Sequence, residues 1–316
     1  MKKKCWLVTG GAGFIGSNLI NYLIKKNQKV ICIDNFVNGS FKNFQKIKSK
    51  NLIIIKCDIR KIPKKIFKYK IDHTVHLAAL GSVPRSFKDP VEVNSVNVDG
   101  SIKVMTLAHN LKCKSFVFAS SSSVYGDSIQ KQKKETDPKN PISPYGNSKY
   151  SFEIYSKILS DFYKLKTTGI RFFNVFGPNQ NIEGPYAAVI PKWVTGLYKN
   201  YEILVNGDGS TSRDFTYIDN VIKGILLASQ NKINYTYNIF NIACGKEVKL
   251  SYLLKKIIYY LKKENKNLKI KYGDFKTGDI LRSKANINKA KKLLNYKPIV
   301  NFDTGLKNYI KSITQD

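Results

Sequence analysis

The stretch "VTGGAGFIGSNL", residues 8–19, constrains this chain more than any other. Gly10, Gly13 and Gly16 fall where an apolar run, "CWLVTG", hands over to a helical pattern from Phe14 to about Lys26. A strand that turns so tightly into a helix leaves backbone N–H groups at the helix N-terminus open to an anion such as a pyrophosphate. The same alternation continues through "KVICID", "NLIIIKCD", "IDHTVHLAA", a long helical pattern near 92–110, "KSFVFAS", a helix from about Tyr145 to Tyr163, and "TTGIRFF". Strands alternating with helices predict an α/β fold built on a doubly wound parallel sheet, a Rossmann arrangement. After Gly177, loops rich in Pro, Gly and Asn separate shorter elements, including "PKWVTGLY", "DNVIKGILLAS" and "YNIFNIA". The tail "ANINKAKKLLNYKP" reads as one amphipathic helix ended by Pro298.

Asp34 closes the second predicted strand, followed by Asn35. A carboxylate there can accept both hydroxyls of an adenosine ribose and repels a 2′-phosphate, which favours NAD over NADP. Residues 1–176 are therefore expected to form an NAD-binding Rossmann domain, with a return segment near 217–243. Residues 177–316 would form most of a smaller α/β substrate domain, with the ligand in the cleft between the two.

Composition removes several function classes. The chain of 316 residues carries 54 basic and 22 acidic residues, a formal charge of +32. The lysines are scattered and no recognition module accompanies them, so a solvated surface is expected and no nucleic-acid partner. Only five basic residues are arginines: Arg60, Arg85, Arg171, Arg213 and Arg282. Lysine replaces the planar guanidinium fork poorly at phosphate or carboxylate, so several of these five are expected in the site. No apolar run approaches a membrane span. The opening "MKKKCWLVTGG" is too short in apolar residues for a signal-peptide core, so a cytoplasmic protein is expected. Five dispersed cysteines and three histidines (His73, His76, His109) show no metal-ligand spacing; reduced thiols, a core role for His76 and no metal are expected.

The spacing Gly10-x-x-Gly13-x-x-Gly16 resembles the extended short-chain dehydrogenase/reductase family, and other segments add to it. Phe14 and Ile15 lie in the same turn. By that resemblance Asp58 and Ile59 of "CDIR" flank the adenine, Ala78 and Ala79 of "HLAA" pass under the cofactor, and Asn97 of "NSVNVDG" matches the family's helix asparagine. "SPYGNSKY" supplies Tyr145 and Lys149, four apart and so on one helix face. A phenol with a pKa of about 10 is a poor base at neutral pH. A neighbouring ammonium and a positive nicotinamide ring are expected to favour the phenolate.

"FASSSSVYGD", residues 118–127, ends an apolar run in four serines. The resemblance makes Ser121 the hydroxyl that bonds the reacting sugar oxygen and completes a Ser-Tyr-Lys set. Nucleotide-sugar 4,6-dehydratases of the family carry Asp and Glu at the next two positions to eliminate water, and decarboxylating relatives also keep a carboxylate in this region. Here the two positions are Ser122 and Ser123, a site equipped to oxidise and reduce C4 but not to eliminate.

Further segments resemble the sugar-nucleotide side. Phe172, in place of a common Tyr, would help place the nicotinamide, and Asn174 would contact the diphosphate. Ser82, Val83 and Arg85 of "GSVPRS" would face the sugar. Ala188 and Val189 of "GPYAAVIPKW", and Asn206 and Arg213 of "VNGDGSTSRDFTYIDN", match nucleotide-binding loops, with Arg213 on the diphosphate. In "FKTGDILRS", Lys276 stands where the family places a diphosphate-binding Arg, with Asp279 and Arg282 alongside. Ser283 falls where epimerases restricted to plain hexoses carry a bulky Tyr, and a serine leaves room for an N-acetyl group.

Taken as a set, "LGSVPRS", "SSSSVYGD", "YAAVIPKW" and "NGDGSTSRDF" are similar to the UDP-N-acetylglucosamine 4-epimerase subgroup of the UDP-galactose 4-epimerases. The resemblance implies NAD-dependent inversion at C4 of a UDP-sugar, through a transient 4-keto sugar, for cell-surface polysaccharide precursors. It also implies a homodimer packed through the helices near 92–110 and 145–163. UDP-glucose or UDP-glucuronate epimerisation, and a dehydratase or decarboxylase, stay open as alternatives.

Overall fold

The computed structural model describes residues 3–45, 47–128, 130–181, 188–263, 268–275 and 282–314. Six strands between residues 5 and 172 enter one sheet: β1 (Cys5–Thr9), β2 (Lys29–Asp34), β3 (Leu52–Lys56), β4 (His73–His76), β5 (Ser115–Ser121) and β6 (Thr167–Phe172). A seventh, Tyr237–Ile242, returns late in the sequence and pairs with β6. From that edge the order runs through β6, β5, β4, β1 and β2 to β3, and every pairing is parallel. The order reverses between β1 and β4, so the crevice outside their carboxyl ends is the natural ligand position of the sheet.

Side-chain alternation gives both sheet faces a core. Trp6 and Val8 of β1, with Val30, Cys32 and Val117, pack towards the helices Phe14–Lys25 and Ile218–Gln230. Leu7, Ile31, Ile33, Phe116 and Phe118 face the other way, against Val104 and Met105 of the helix Ser101–Asn110 and Phe152 of the helix Pro144–Tyr163. Because both faces are covered, the central strands are apolar at successive positions.

The long helix expected near 92–110 is a composite. Pro90–Asn94 and Ser101–Asn110 are α-helical, and Ser95–Gly100 between them is a π-helical turn. An ideal Cβ on Gly100 would lie 2.7 Å from Ile59 Cδ1, so the turn packs hard against the segment after β3. The tail also departs from expectation. Residues 284–287 are not helical, and the helix Asn288–Leu294 stops at Asn295, whose φ of 53° is left-handed, before Pro298 is reached. Two further helices, Leu250–Leu261 and Phe302–Thr314, complete the second half. Its strands are short. Ser212–Arg213 lies between Val248–Lys249 and Arg282–Ser283, Ile203–Asn206 pairs with Ile270–Gly273, and Val175–Phe176 pairs with Thr216–Tyr217. Among the described residues no helix is long and apolar enough to cross a membrane.

Candidate active site

The crossover from β1 to the helix Phe14–Lys25 is shaped by its glycines. Gly10 has φ +67°, and an ideal Cβ there would stand 2.5 Å from the backbone N of Ala78. A Cβ on Gly16 would run into the carbonyl of Gly10, so the helix packs directly on the turn. Gly13 is the N-cap and no side chain caps it. Asp34 is buried at the tip of β2, where Oδ2 accepts from Ala12 N (2.9 Å) and Oδ1 from Phe36 N (2.7 Å). Each oxygen keeps a second acceptor site for a ribose hydroxyl. A side-chain-free cradle at an uncapped helix end, flanked by an anchored carboxylate, fits the diphosphate and adenine ribose of a dinucleotide. Phe14 and Ile15 begin the helix, and Ala78 and Ala79 follow β4 beside Gly10.

Other expected cofactor residues are engaged with the protein itself. Asn35 Oδ1 accepts from Val37 N (3.2 Å). Ile59 is core. Asp58 is chelated by Arg60 through Nε (3.0 Å) and Nη2 (2.7 Å), which holds its carboxyl below the usual range. Asn97 lies in the π-helical turn and is 1% exposed. Its amide brackets Leu80, accepting from the N (2.8 Å) and donating to the O (3.2 Å), and also donates to Ser148 Oγ (3.0 Å). Its side chain is thus committed to the Leu80 turn and the neighbouring helix.

β5 continues through Ser121, and Ser122–Tyr125 form a 3-10 turn after it. Ser121 Oγ caps that turn, accepting from Ser123 N and donating to Ser123 Oγ, both at 3.1 Å. The same hydroxyl faces the Tyr145 phenol closely enough to oppose the rise of its pKa. Lys149, one helical turn after Tyr145, donates Nζ to Ala119 O (3.1 Å) and lies 6.0 Å from the centre of the Tyr145 ring. The three groups thus meet at the carboxyl end of β5. Phe172 is the cross-strand partner of Ser121, so both side chains project to one face of the sheet. Among the protein's own groups, burial pushes the Tyr145 phenol up and the Ser121 hydroxyl opposes that rise. Lys149 is itself lowered to about 8 by burial.

On the substrate side, a cavity of about 290 Å³ is lined by Asn174, Ala188, Val189, Asn206 and Arg213, together with Trp193 and Phe215. The helix Val189–Tyr198 opens at Ala188 with no side-chain cap, so its N-terminus presents N–H groups beside the Arg213 guanidinium. That pairing suits a nucleotide diphosphate, with the aromatic walls beside it. Ser283 is buried as the register partner of Arg213 on the adjacent strand. Arg282 is exposed next to it. Lys276 and Asp279 lie outside the described residues. Ser82 caps the short helix Val83–Lys88 by accepting from Arg85 N (3.2 Å), and Arg85 Nη1 donates to Asn38 Oδ1 (3.1 Å) in the loop after β2.

Residues 6–243 match the sequence profile of the NAD dependent epimerase/dehydratase family. The chain belongs to that family. A solved structure of the UDP-N-acetylglucosamine 4-epimerase from Methanobrevibacter ruminantium M1, in complex with UDP-N-acetylmuramic acid, superposes over all of both chains at TM-score 0.93 and 36% identity. A putative UDP-glucose 4-epimerase of Methanocaldococcus jannaschii is 33% identical over 96% of each chain. A UDP-glucuronate 4-epimerase of Thermodesulfobacterium geofontis is 32% identical over 96% of this chain and 94% of the relative. NAD is the cofactor of the family, and the Gly10–Asp34 cradle fits it.

Two of the five arginines are engaged within the protein. Arg60 serves Asp58 and Glu92, and Arg171 is buried in an ion pair with Glu153, so neither reaches the cavity. Both grip carboxylates, as a guanidinium fork should, but the carboxylates belong to the protein. His76 is a core histidine, with Nδ1 on Thr9 Oγ1 (2.6 Å) and Nε2 on Ser101 Oγ (2.8 Å), and burial lowers its pKa to about 3.

Sequence reasoning missed Asp214, which follows Arg213 directly. Its carboxylate accepts from the backbone N of Cys244 (3.0 Å), Gly245 (2.9 Å) and Ala285 (3.1 Å), and burial raises its pKa to about 7 despite those donors. It ties together the segments that carry Arg213 and Ser283. An acid directly beside a predicted phosphate ligand, in a chain with few acids, was the available signal. Glu153, on the face of Tyr145 and Lys149, was also missed.

Proposed function

We propose that this protein inverts C4 of a UDP-sugar, most readily UDP-GlcNAc to UDP-GalNAc, through a transient 4-keto sugar and with retained NAD. NAD, when bound, supplies a reversible acceptor for the C4 hydrogen, so none is consumed. Tyr145 takes the proton of the sugar 4-OH, passes it back on reduction, and shares it meanwhile with Ser121. Lys149 supplies positive charge behind the phenol. Arg213 and the helix opening at Ala188 hold the diphosphate while the keto sugar turns to offer its other face. The observation that carries this reading is the Ser121–Tyr145–Lys149 set with serines, not carboxylates, at 122 and 123. It can oxidise and reduce, yet has no acid or base there to expel water or assist decarboxylation.

The acetylated substrate is supported by Ser283, a small residue turned to the same face of its strand pair as Arg213. The 36%-identical relative with that activity supports it too. We further propose the division expected from sequence. In it, 1–176 with the return near 217–243 holds NAD, and 177–316 supplies most of the UDP-sugar contacts. A homodimer is proposed from the helix Pro144–Tyr163, which leaves Ile154, Ile158 and Phe162 exposed at one-turn spacing. The test is proton NMR of the purified protein with UDP-GlcNAc and, separately, UDP-glucose, without added NAD. UDP-GalNAc forming as the faster conversion is the expected result. Conversion of UDP-glucose alone would overturn the Ser283 argument and leave the mechanism standing. A dehydrated or pentose product, or no turnover even with NAD, would overturn the reading of the serines.

A further inference from the structure

We propose that the buried Glu153–Arg171 ion pair, acting through Ser120, is a positioning element that sets Tyr145 against Ser121. The inference rests on the reading of Ser121, Tyr145 and Lys149 as the reacting set and adds residues that touch neither sugar nor cofactor. Strand alternation separates the first two serines. Ser121 shares the face of Phe172, whereas Ser120 continues the Phe116–Phe118 row towards the helix Pro144–Tyr163. There Ser120 Oγ donates to Glu153 Oε1 at 2.5 Å.

Tyr145, Lys149 and Glu153 stand at i, i+4 and i+8 on this helix, and each meets one of the last three residues of β5. Lys149 bonds Ala119 O, Glu153 bonds Ser120, and the Tyr145 phenol faces the Ser121 hydroxyl. Arg171 closes the arrangement from β6, donating Nε to Glu153 Oε1 (2.9 Å) and Nη2 to Oε2 (2.6 Å). Its remaining nitrogen, Nη1, donates to the Tyr125 hydroxyl (2.8 Å), in the 3-10 turn that Ser121 caps. One end of the pair therefore holds the helix that bears Tyr145, and the other holds the turn that follows Ser121.

The apolar contacts of the same helix, such as Phe152 edge-on to Phe118 at 4.9 Å, tolerate a small slide along the helix axis. Hydrogen bonds do not, because they weaken steeply with distance and angle. An apolar replacement of a buried ion pair can match its stability, so the directional bonds are what this pair adds. Three bonds on one carboxylate fix the axial register of the helix, and with it the Tyr145–Ser121 contact.

Ser120→Ala removes one hydroxyl and leaves the ion pair intact. Glu153→Gln/Arg171→Met removes both charges together and leaves no lone buried charge. Both are to be compared with the parent for kcat, KM, NAD content and melting. A further readout is ultraviolet difference titration of the Tyr145 phenol, obtained by subtracting the matched Tyr145→Phe form in each background. Ser120→Ala is expected to lower kcat roughly 10- to 100-fold, as for a small misplacement of reacting groups, with KM for the UDP-sugar and NAD content unchanged. The Tyr145 titration should move to higher pH, because the Ser121 contact that opposes its rise is lost. Parent-like kcat and titration in folded variants would overturn the proposal, as would kcat losses that track melting and NAD content alone. If the parent turns over no UDP-sugar, the functional reading fails, and the Tyr145 titration still decides the positioning role.

Discussion

Lys149 should make the protein less stable than it could be at neutral pH, and Lys149→Met should expose that cost. The lysine is 6% exposed, and burial lowers its pKa from the ordinary 10.5 to about 8. A shift of that size corresponds to roughly 3 kcal/mol of disfavour for the charged form in the folded state. Below the folded pKa both states carry the proton, so the folded state bears the full desolvation. Between about 8 and 10.5 the unfolded chain holds more protons, so stability rises with pH in that window. Methionine fills similar space without charge. The bond to Ala119 O is lost, which offsets about 1 kcal/mol. The net gain near pH 7 is about 2 kcal/mol, or a rise in Tm of roughly 5 °C for a chain of this size. Thermal melts of parent and Lys149→Met, near pH 7 and near pH 10, are the assay, with epimerase activity measured alongside. The variant should melt higher at neutral pH, lose that advantage at the alkaline pH, and be inactive. A variant that melts lower than the parent at neutral pH, or an advantage that does not change with pH, would refute the reasoning.

Gly10→Ala should yield protein with little bound NAD and a stability loss of more than about 1 kcal/mol, because φ is +67° and the new methyl meets Ala78 N. Gly13→Ala should fold, since its methyl would meet only Gly10 O at 3.3 Å; NAD content per chain and melting separate the two. Ile158→Glu/Phe162→Glu should sediment as a monomer where the parent is dimeric. The parent dimer should strengthen with added salt, since each chain carries a formal +32. A monomeric parent would remove the proposed homodimer.

The parallel sheet was readable because its evidence is local. "KVICID" is strand β2 from end to end, Lys29–Asp34, and the glycine spacing marks a strand-to-helix turn wherever it occurs. The helix with Tyr145 and Lys149 was likewise written in nearby residues. Prediction failed where the deciding interaction was remote. The tail was read as one helix from residue 285, yet Ala285 N donates to Asp214, far away in sequence, and the helix begins only at Asn288. Phe302–Thr314 went unseen because its helix is stabilised mainly by packing, with Leu306, Tyr309 and Ile310 buried against the rest of the chain.

The candidate site divides in the same way. Residue types and short spacings pointed to a glycine cradle, an acid at a strand tip and a tyrosine four residues before a lysine, and the family resemblance added the serine. Which polar group opposes which is a tertiary property, because partners are chosen by space and desolvation and not by sequence distance. Only the folded chain turned Arg171 onto Glu153 and placed Ser120 and Ser121 on opposite faces of one strand. It also buried the Tyr145 phenol and held the Lys149 ammonium on Ala119.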